Sequence, residues 1–269
     1  MINAGAEYIA NRTFHDSLRT INYNQTEISL GYNIPLSFTK GVTYKFLNLG
    51  SDYVLNQTWL AHTSKDSTKQ TYSYLRHFIS WAQYLPMAKQ HIYPKFGYTL
   101  TGQYRHLLTR TGFQFLGTTQ LFLPSIANHS IVLSGSWQET DTSNVIFSNR
   151  FANSRGYDEY YFSRMWRASV NYHFPIAYPD FGFANIYYLQ RLRGNLFYDF
   201  TKVYSRKKTA SRNLRSVGAE LYFDSKFWNE LPVSFGVRAS YLLDDGFSSA
   251  DKKGKTWFEF IVPLNLIPN

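Results

Sequence analysis

Charged and polar side chains in regular alternation are concentrated between Arg167 and Glu220. Arg191, Arg193, Asn195, Phe197, Asp199 and Thr201 share one parity, and Leu192, Gly194, Leu196, Tyr198 and Phe200 share the other. Alternation with period two describes a strand with one polar and one apolar face. Asp199 therefore sits on the polar face with Arg191 and Arg193, and Arg167 lies on the strand before. A carboxylate enclosed in such a wall requires a cationic partner. On the following strand Gly218 and Glu220 face the same way. The chemistry on offer is ion pairing within a wall.

Catalytic chemistry has little support. His77, His106 and His173 lie on expected strands, and His15, His62, His91 and His129 lie near strand ends. No Ser is set at a recognisable spacing from a His, as a nucleophile and its base would be. Asp244 and Asp245, followed by Gly246, read first as a solvated turn and only second as a hydrolytic acid pair. The chain has no cysteine, which excludes disulfides and thiolate-bound metal. No metal site and no cofactor is expected, and the chain reads as a non-enzyme. The net charge of +10 raises nucleic acid as a partner. No phosphate loop, helix-turn-helix pattern or zinc spacing accompanies it, so no nucleic acid is expected.

The elements that must position these residues are strands. Tyr and Phe each number 22, yet the mean hydropathy is −0.34. No run of about 18 apolar residues is available for a spanning helix. Many aromatics without long apolar runs suit a transmembrane antiparallel β-barrel. Period two divides the sequence into about twelve strands, near 1–13, 21–36, 42–60, 71–86, 93–108, 112–124, 130–140, 164–176, 185–203, 211–226, 232–243 and 256–266. Ile28, Leu30, Tyr32, Ile34 and Leu36 oppose Glu27, Ser29, Gly31 and Asn33 in the second; Phe235 and Val237 oppose Ser234 and Arg238 in the eleventh. Strands of this length exceed those of a soluble sandwich. Alternate connections are long and charged, and the intervening ones carry Pro35, Pro86, Pro94, Pro124, Pro175, Pro179 and Pro232. Proline belongs at strand ends, so the proline rim is expected to be periplasmic and the charged loops external, with both termini periplasmic.

An Arg-Gly-aromatic loop (Arg155-Gly156-Tyr157), an x-Tyr-x-Phe-Pro strand (Asn171-Tyr172-His173-Phe174-Pro175) and a Phe-x-Asp strand (Phe197-Tyr198-Asp199) occur in that order. This succession resembles the bacterial surface antigen superfamily, the outer-membrane assembly and translocation barrels of BamA, TamA and two-partner-secretion transporter type. The resemblance covers roughly Ser154 to the carboxyl end. It implies that the external loop 139–163 folds inward and that Arg155 meets Asp199 on the inner wall. Glu220 is a competing partner, and a solvated Arg155 with Gly156 as a turn former is the plain alternative. Where the family often carries an acid, this chain has Asn171. The last strand, with Trp257, Phe258, Phe260, Pro263 and Leu264, resembles the family's insertion signal, and Pro263 leaves one side of it incompletely paired.

The resemblance implies about sixteen strands, five of them after the motif loop. Five candidates follow the loop here and about seven precede it, so the chain is expected to be the carboxyl-terminal part of the barrel, incomplete at its amino side. The absence of a signal peptide at Met1 fits a processed or cut start. The implied function is insertion or translocation of client polypeptides through a lumen and a weak lateral seam in the outer membrane of a Gram-negative bacterium. Implied partners are outer-membrane lipid, lipopolysaccharide, the clients, and periplasmic accessory domains or lipoproteins. Arg206-Lys207-Lys208 and Lys252, Lys253 and Lys255 could meet lipopolysaccharide phosphates, although solvated loops are the plainer reading. The alternatives are a passive pore and, behind it, a barrel hydrolase.

Overall fold

The computed structural model describes residues 1–16, 19–39, 41–63, 66–88, 90–108, 110–141, 147, 149–205, 210–228 and 230–262; of 9–16, 19–22, 60–63 and 66–68 it describes the backbone alone. Pro263 and Leu264, Arg206-Lys207-Lys208 and the expected strand end at 262–266 beyond Val262 lie outside the described residues. Every regular element described is a strand: β1 (Ile2–Asp16), β2 (Arg19–Phe38), β3 (Tyr44–Thr63), β4 (Asp66–Tyr84), β5 (Gly97–Leu107), β6 (Phe113–Pro124), β7 (Ser130–Thr140), β8 (Arg164–Ala177), β9 (Phe181–Phe183), β10 (Tyr187–Tyr204), β11 (Ser211–Phe227), β12 (Leu231–Leu242) and β13 (Thr256–Ile261). They form one antiparallel sheet in chain order, with β9 paired to β10 alone. Among the described residues β1 and β13 are not paired with each other, so the sheet is open.

Several details depart from the sequence expectation: of the connections expected to be long and charged, the first falls between Asp16 and Arg19 and the second between Thr63 and Asp66. The fifth strand starts at Gly97, not near residue 93, because Tyr93 turns inward and stacks on Phe122 with its ring 4.7 Å from that of His173. The short strand β9 was not anticipated; three residues beside Pro179 carry too little alternation to be read. The expected last strand is described only as far as Ile261.

The faces of the sheet are inverted relative to a soluble protein. Ile28, Leu30, Tyr32, Leu196, Tyr198 and Val237 are exposed, and Gln25, Glu27, Asp52, Asn56, Asp199 and Glu220 are buried. Contacts between strands far apart in the order show that the polar face is concave. Arg191 on β10 donates to the carbonyls of Gln90 and His91 in the β4–β5 connection, at 3.4 and 3.3 Å. The prolines sit where a missing donor is harmless. Asn33 donates to the Met1 carbonyl, and Pro35, of the same parity on β2, falls beyond the end of β1. Pro124 closes β6, Pro232 enters β12, and Pro175 adjoins the register shift between β8 and β10.

Register brings the inward residues of β8, β10, β11, β12 and β13 into rows. Ser169, Asp199, Ser216 and Leu242 form one row. Asn171, Phe197, Gly218, Ser240 and Trp257 form the next. His173, Asn195, Glu220, Arg238 and Glu259 form the third. Gly218 is required in the middle row: a Cβ there would meet the Ala239 carbonyl oxygen at 2.1 Å and the Phe197 ring at 2.5 Å. Its bare backbone lets the Phe197 ring lie across β11. Gly218→Ala is therefore expected to destabilise by about 1–3 kcal/mol, the cost of overpacking, measured by unfolding in detergent; an unchanged midpoint would remove Gly218 from this account.

Candidate functional site

The described part of the segment after β7, residues 147 and 149–163, does not run out into solvent. It crosses the concave face and is fastened at several places. Phe147, fully buried, packs edge-on against Tyr72 and Tyr74 of β4, with Val54 and Leu107 completing the cluster. Arg150 pairs with Glu7 of β1 and lies 3.9 Å from Glu27 of β2. Glu7 and Glu27 are directly opposed across the β1–β2 ladder; like charges so placed repel, and Arg150 offsets them. Farther on, Phe151, Tyr157, Tyr160, Tyr161 and Phe162 join the main buried cluster with Met165, Leu214 and Leu242.

A further fastening is Arg155. Its Nε donates to Asp199 Oδ2 at 2.8 Å and its Nη2 to Asp199 Oδ1 at 2.8 Å. Its backbone N–H reaches Oδ2 at 3.0 Å. Nη1 donates to Glu220 at 3.1 Å, and Nη2 to the Asn171 side-chain amide oxygen Oδ1 at 2.7 Å and to Ser169 at 3.2 Å. The guanidinium lies 3.6 Å over the Phe197 ring, the same ring that Gly218 admits. Asp199 and Glu220, the two alternatives offered by the sequence, are thus both partners. Asn171, where the resembled family often carries an acid, acts as a neutral acceptor. Asp199 has no exposed surface and also receives Arg167 at 3.0 Å and Ser169 at 2.5 Å. Burial works against the Arg155 charge, yet Asp199 and Glu220 outweigh it, and the guanidinium titrates above its ordinary range.

Gly156 has φ +86° and sits so close to β12 that a Cβ would meet Ser240 Cβ at 2.7 Å. Both facts favour glycine. This turn aims Arg155 at β10 and sends Tyr157 the other way. The Tyr157 hydroxyl lies 2.9 Å from the carbonyls of Arg215 and Asp244 and accepts the Asp244 N–H at 3.2 Å. Burial pushes this phenol up to about 12. Tyr160 and the Asp158 N–H hold Asp251 at 2.5 and 2.9 Å, tying the crossing segment to the 243–255 connection. Asp244, read from sequence as part of a solvated turn, instead accepts three hydrogen bonds from Arg215. These hold its carboxyl below the usual carboxylate range.

Arg191 and Arg193 need a correction. They do not serve Asp199. Both bind Asp224, at 2.7 and 3.0 Å, nearer the proline rim, with Ser234 donating to the same carboxylate at 2.7 Å. Asp224 faces Arg191 across the β10–β11 ladder, and the sequence reading missed it because the register of that hairpin was unknown. A further inner-wall pair, Arg76 with Asp52 at 2.6 Å, was also missed. On the last strand Trp257 faces inward against the main cluster, and Phe258 and Phe260 face outward at 79% and 69% exposure. Between the crossing segment and the walls lies a polar cavity of about 810 Å³, with Thr101, Thr118 and Ser134 on one side and Arg155, Arg238 and Glu259 on the other.

No protein-family model matches the chain, and no curated protein is similar to it. The reading therefore rests on the residues and their geometry.

Removing one partner of the buried pair leaves the other charge unmatched. Arg155→Ala is expected to lower stability by about 3–5 kcal/mol, and Arg155→Lys to recover only part, since lysine cannot match a carboxylate bidentately. Unfolding midpoints of the three proteins in one detergent decide this; equal midpoints would show Arg155 to be a solvated loop residue. The Asp244–Arg215 contact gives a pH dependence. Because Asp244 is depressed, its stabilisation is complete above the ordinary 3.8 and is lost as the pH falls through the lower folded value. A fluorophore at Ser249 should report release of the 243–255 connection only below that range, with the transition absent in Asp244→Asn.

Proposed function

We propose that the chain is the wall of a transmembrane β-barrel of the outer membrane of a Gram-negative bacterium. It belongs with the assembly and translocation barrels that its loop and strand motifs resemble. In this reading the outward apolar face meets lipid, the concave polar face is a lumen, and residues 149–163 brace that lumen from the external side. Polypeptide clients are handled at the seam flanked by β1 and β13, with neither cofactor nor catalysis. The observation that carries the reading is the Arg155 fastening. An Arg-Gly-aromatic loop reaches back to the Asp of a Phe-x-Asp strand, and its register makes both the glycine and the phenylalanine necessary.

Physical reasoning supports the seam. An unpaired strand edge presents a row of donors and acceptors that another strand satisfies, most strongly where water is scarce. The loop links the two sides of that opening, from Glu7 on β1 through Arg150 to Arg155, and onward by Glu220 and Arg238 to Glu259 on β13. A passive pore is the second reading, favoured by the hydroxyl-lined cavity beside the loop. Insertion of purified protein into vesicles separates the two. Crosslinking of a nascent barrel client to Phe258 positions supports the first, and steady ion conductance without client crosslinks supports the second.

The membrane assignment itself is tested by face. Leu196→Arg and Val237→Arg are expected to lower folding stability in vesicles by about 2–4 kcal/mol, and Gln120→Arg, at an exposed position of the polar face, by little. Equal tolerance at all three positions would refute it.

A further inference from the structure

On the outward face, below the loop rim, the sheet carries a groove distinct from the Arg155 network. Its cavity measures about 640 Å³. Ala219, Val237 and Ala239 form its floor, Leu196 and Phe174 one wall, and Phe258 the other. Its depth follows from register. Ala219 lies opposite Leu196 on one side and Ala239 on the other, and Ala239 lies opposite Phe258, so small side chains are bracketed by large ones.

The groove leads toward cations. Following β11 toward the loops, the outward positions after Ala219 are Val217, set between Tyr198 and Tyr241, and then Arg215. Four residues of strand separate Arg215 from Ala219, about 13 Å. Beside Arg215, one step nearer the rim on β10, Lys202 faces outward opposite Trp166 and Asn213. Asp244 takes up the charge of Arg215. The Lys202 ammonium lies instead over a ring, 5.5 Å from the centre of Tyr204. Trp166 and Phe200 stack at 4.9 Å in the same zone. A basic side chain among aromatics, six strand residues or about 20 Å along the wall from the floor of an apolar trench, matches the order of a lipid: anionic headgroup, interface, acyl chain.

We infer that this groove is a binding site for a phosphate-bearing membrane lipid, whose headgroup meets Lys202 and one of whose acyl chains reaches the trench over Ala219. The inference rests on the proposed membrane reading, since only a lipid-facing wall offers such a ligand. It assigns to the β10–β13 region a resident lipid where an outward cavity would otherwise be left in hydrocarbon. It also sets that lipid against Phe258 of the last strand, next to the open edge.

Lipid retention tests it. The full chain, stripped of lipid in a non-ionic detergent, is offered phosphatidylglycerol and phosphatidylcholine of identical chains, and bound lipid is counted by native mass spectrometry. Phosphatidylglycerol should be retained in preference. Lys202→Gln should weaken that retention about fivefold, the worth of one interfacial cation. Ala219→Phe, which fills the trench with an apolar ring, should weaken it about tenfold, the worth of roughly two displaced methylenes. Equal retention of both lipids, or unchanged retention in both variants, overturns the inference. Insertion of the same preparations into vesicles is scored in parallel. Failure to insert sinks the membrane reading and this site with it; insertion without lipid preference sinks this site alone.

Discussion

The structure depends on one buried ion pair that is never left to two residues. Arg155 would be costly on the concave wall by itself, and so would Asp199, because a charge removed from water must recover that loss from its partners. Asp199 is met by two arginines, a serine and a backbone N–H. Arg155 is met by two carboxylates, an amide oxygen and an aromatic face. Bidentate geometry fixes the guanidinium in its plane, and the loop that carries it inherits that fixed position. Gly156 and Gly218 are consequences of this arrangement: one lets the loop approach β12, and the other lets Phe197 lie flat beneath the guanidinium.

From that point the charge organisation spreads in two directions. Toward β13 it alternates, Arg155 to Glu220 to Arg238 to Glu259. Toward β1 the same loop reaches back by Arg150 to Glu7. A single crossing segment therefore touches both sides of an open sheet, which connects a local interaction to the behaviour of the proposed seam. Whatever loosens the loop loosens the relation between those edges. The cluster of Arg191, Arg193 and Asp224 is a separate lower girdle, fixed to the β4–β5 connection through Gln90 and His91.

Much of the wall was legible because its signal is local. Alternation along 191–201 places Asp199 inward and Leu196 outward without any knowledge of neighbouring strands, and the twelve long strands emerge from the same period. What was not legible depends on register or on loops meeting across space. The hairpin between β10 and β11 can slip by two residues without changing any side chain's face. Yet such a slip decides whether Arg191 stands opposite Asp224 or a neighbour. Asp251 and Tyr160, each in a different connection, carry no mutual signal in sequence. The three residues of β9 are too few to show a period. Asp244 looked like a solvated turn because its partner, Arg215, belongs to another strand.

In the proposed membrane-spanning state the Arg155 segment stays seated against β10. Ser154 and Thr201 place their hydroxyl oxygens 2.8 Å apart, and the chain has no native cysteine. The direct measurement is disulfide formation in the double variant Ser154→Cys, Thr201→Cys after insertion into vesicles. Near-complete intramolecular crosslinking is expected, with little labelling of either position by a bulky thiol reagent under reducing conditions. Two reactive thiols that do not crosslink in the inserted protein would contradict it.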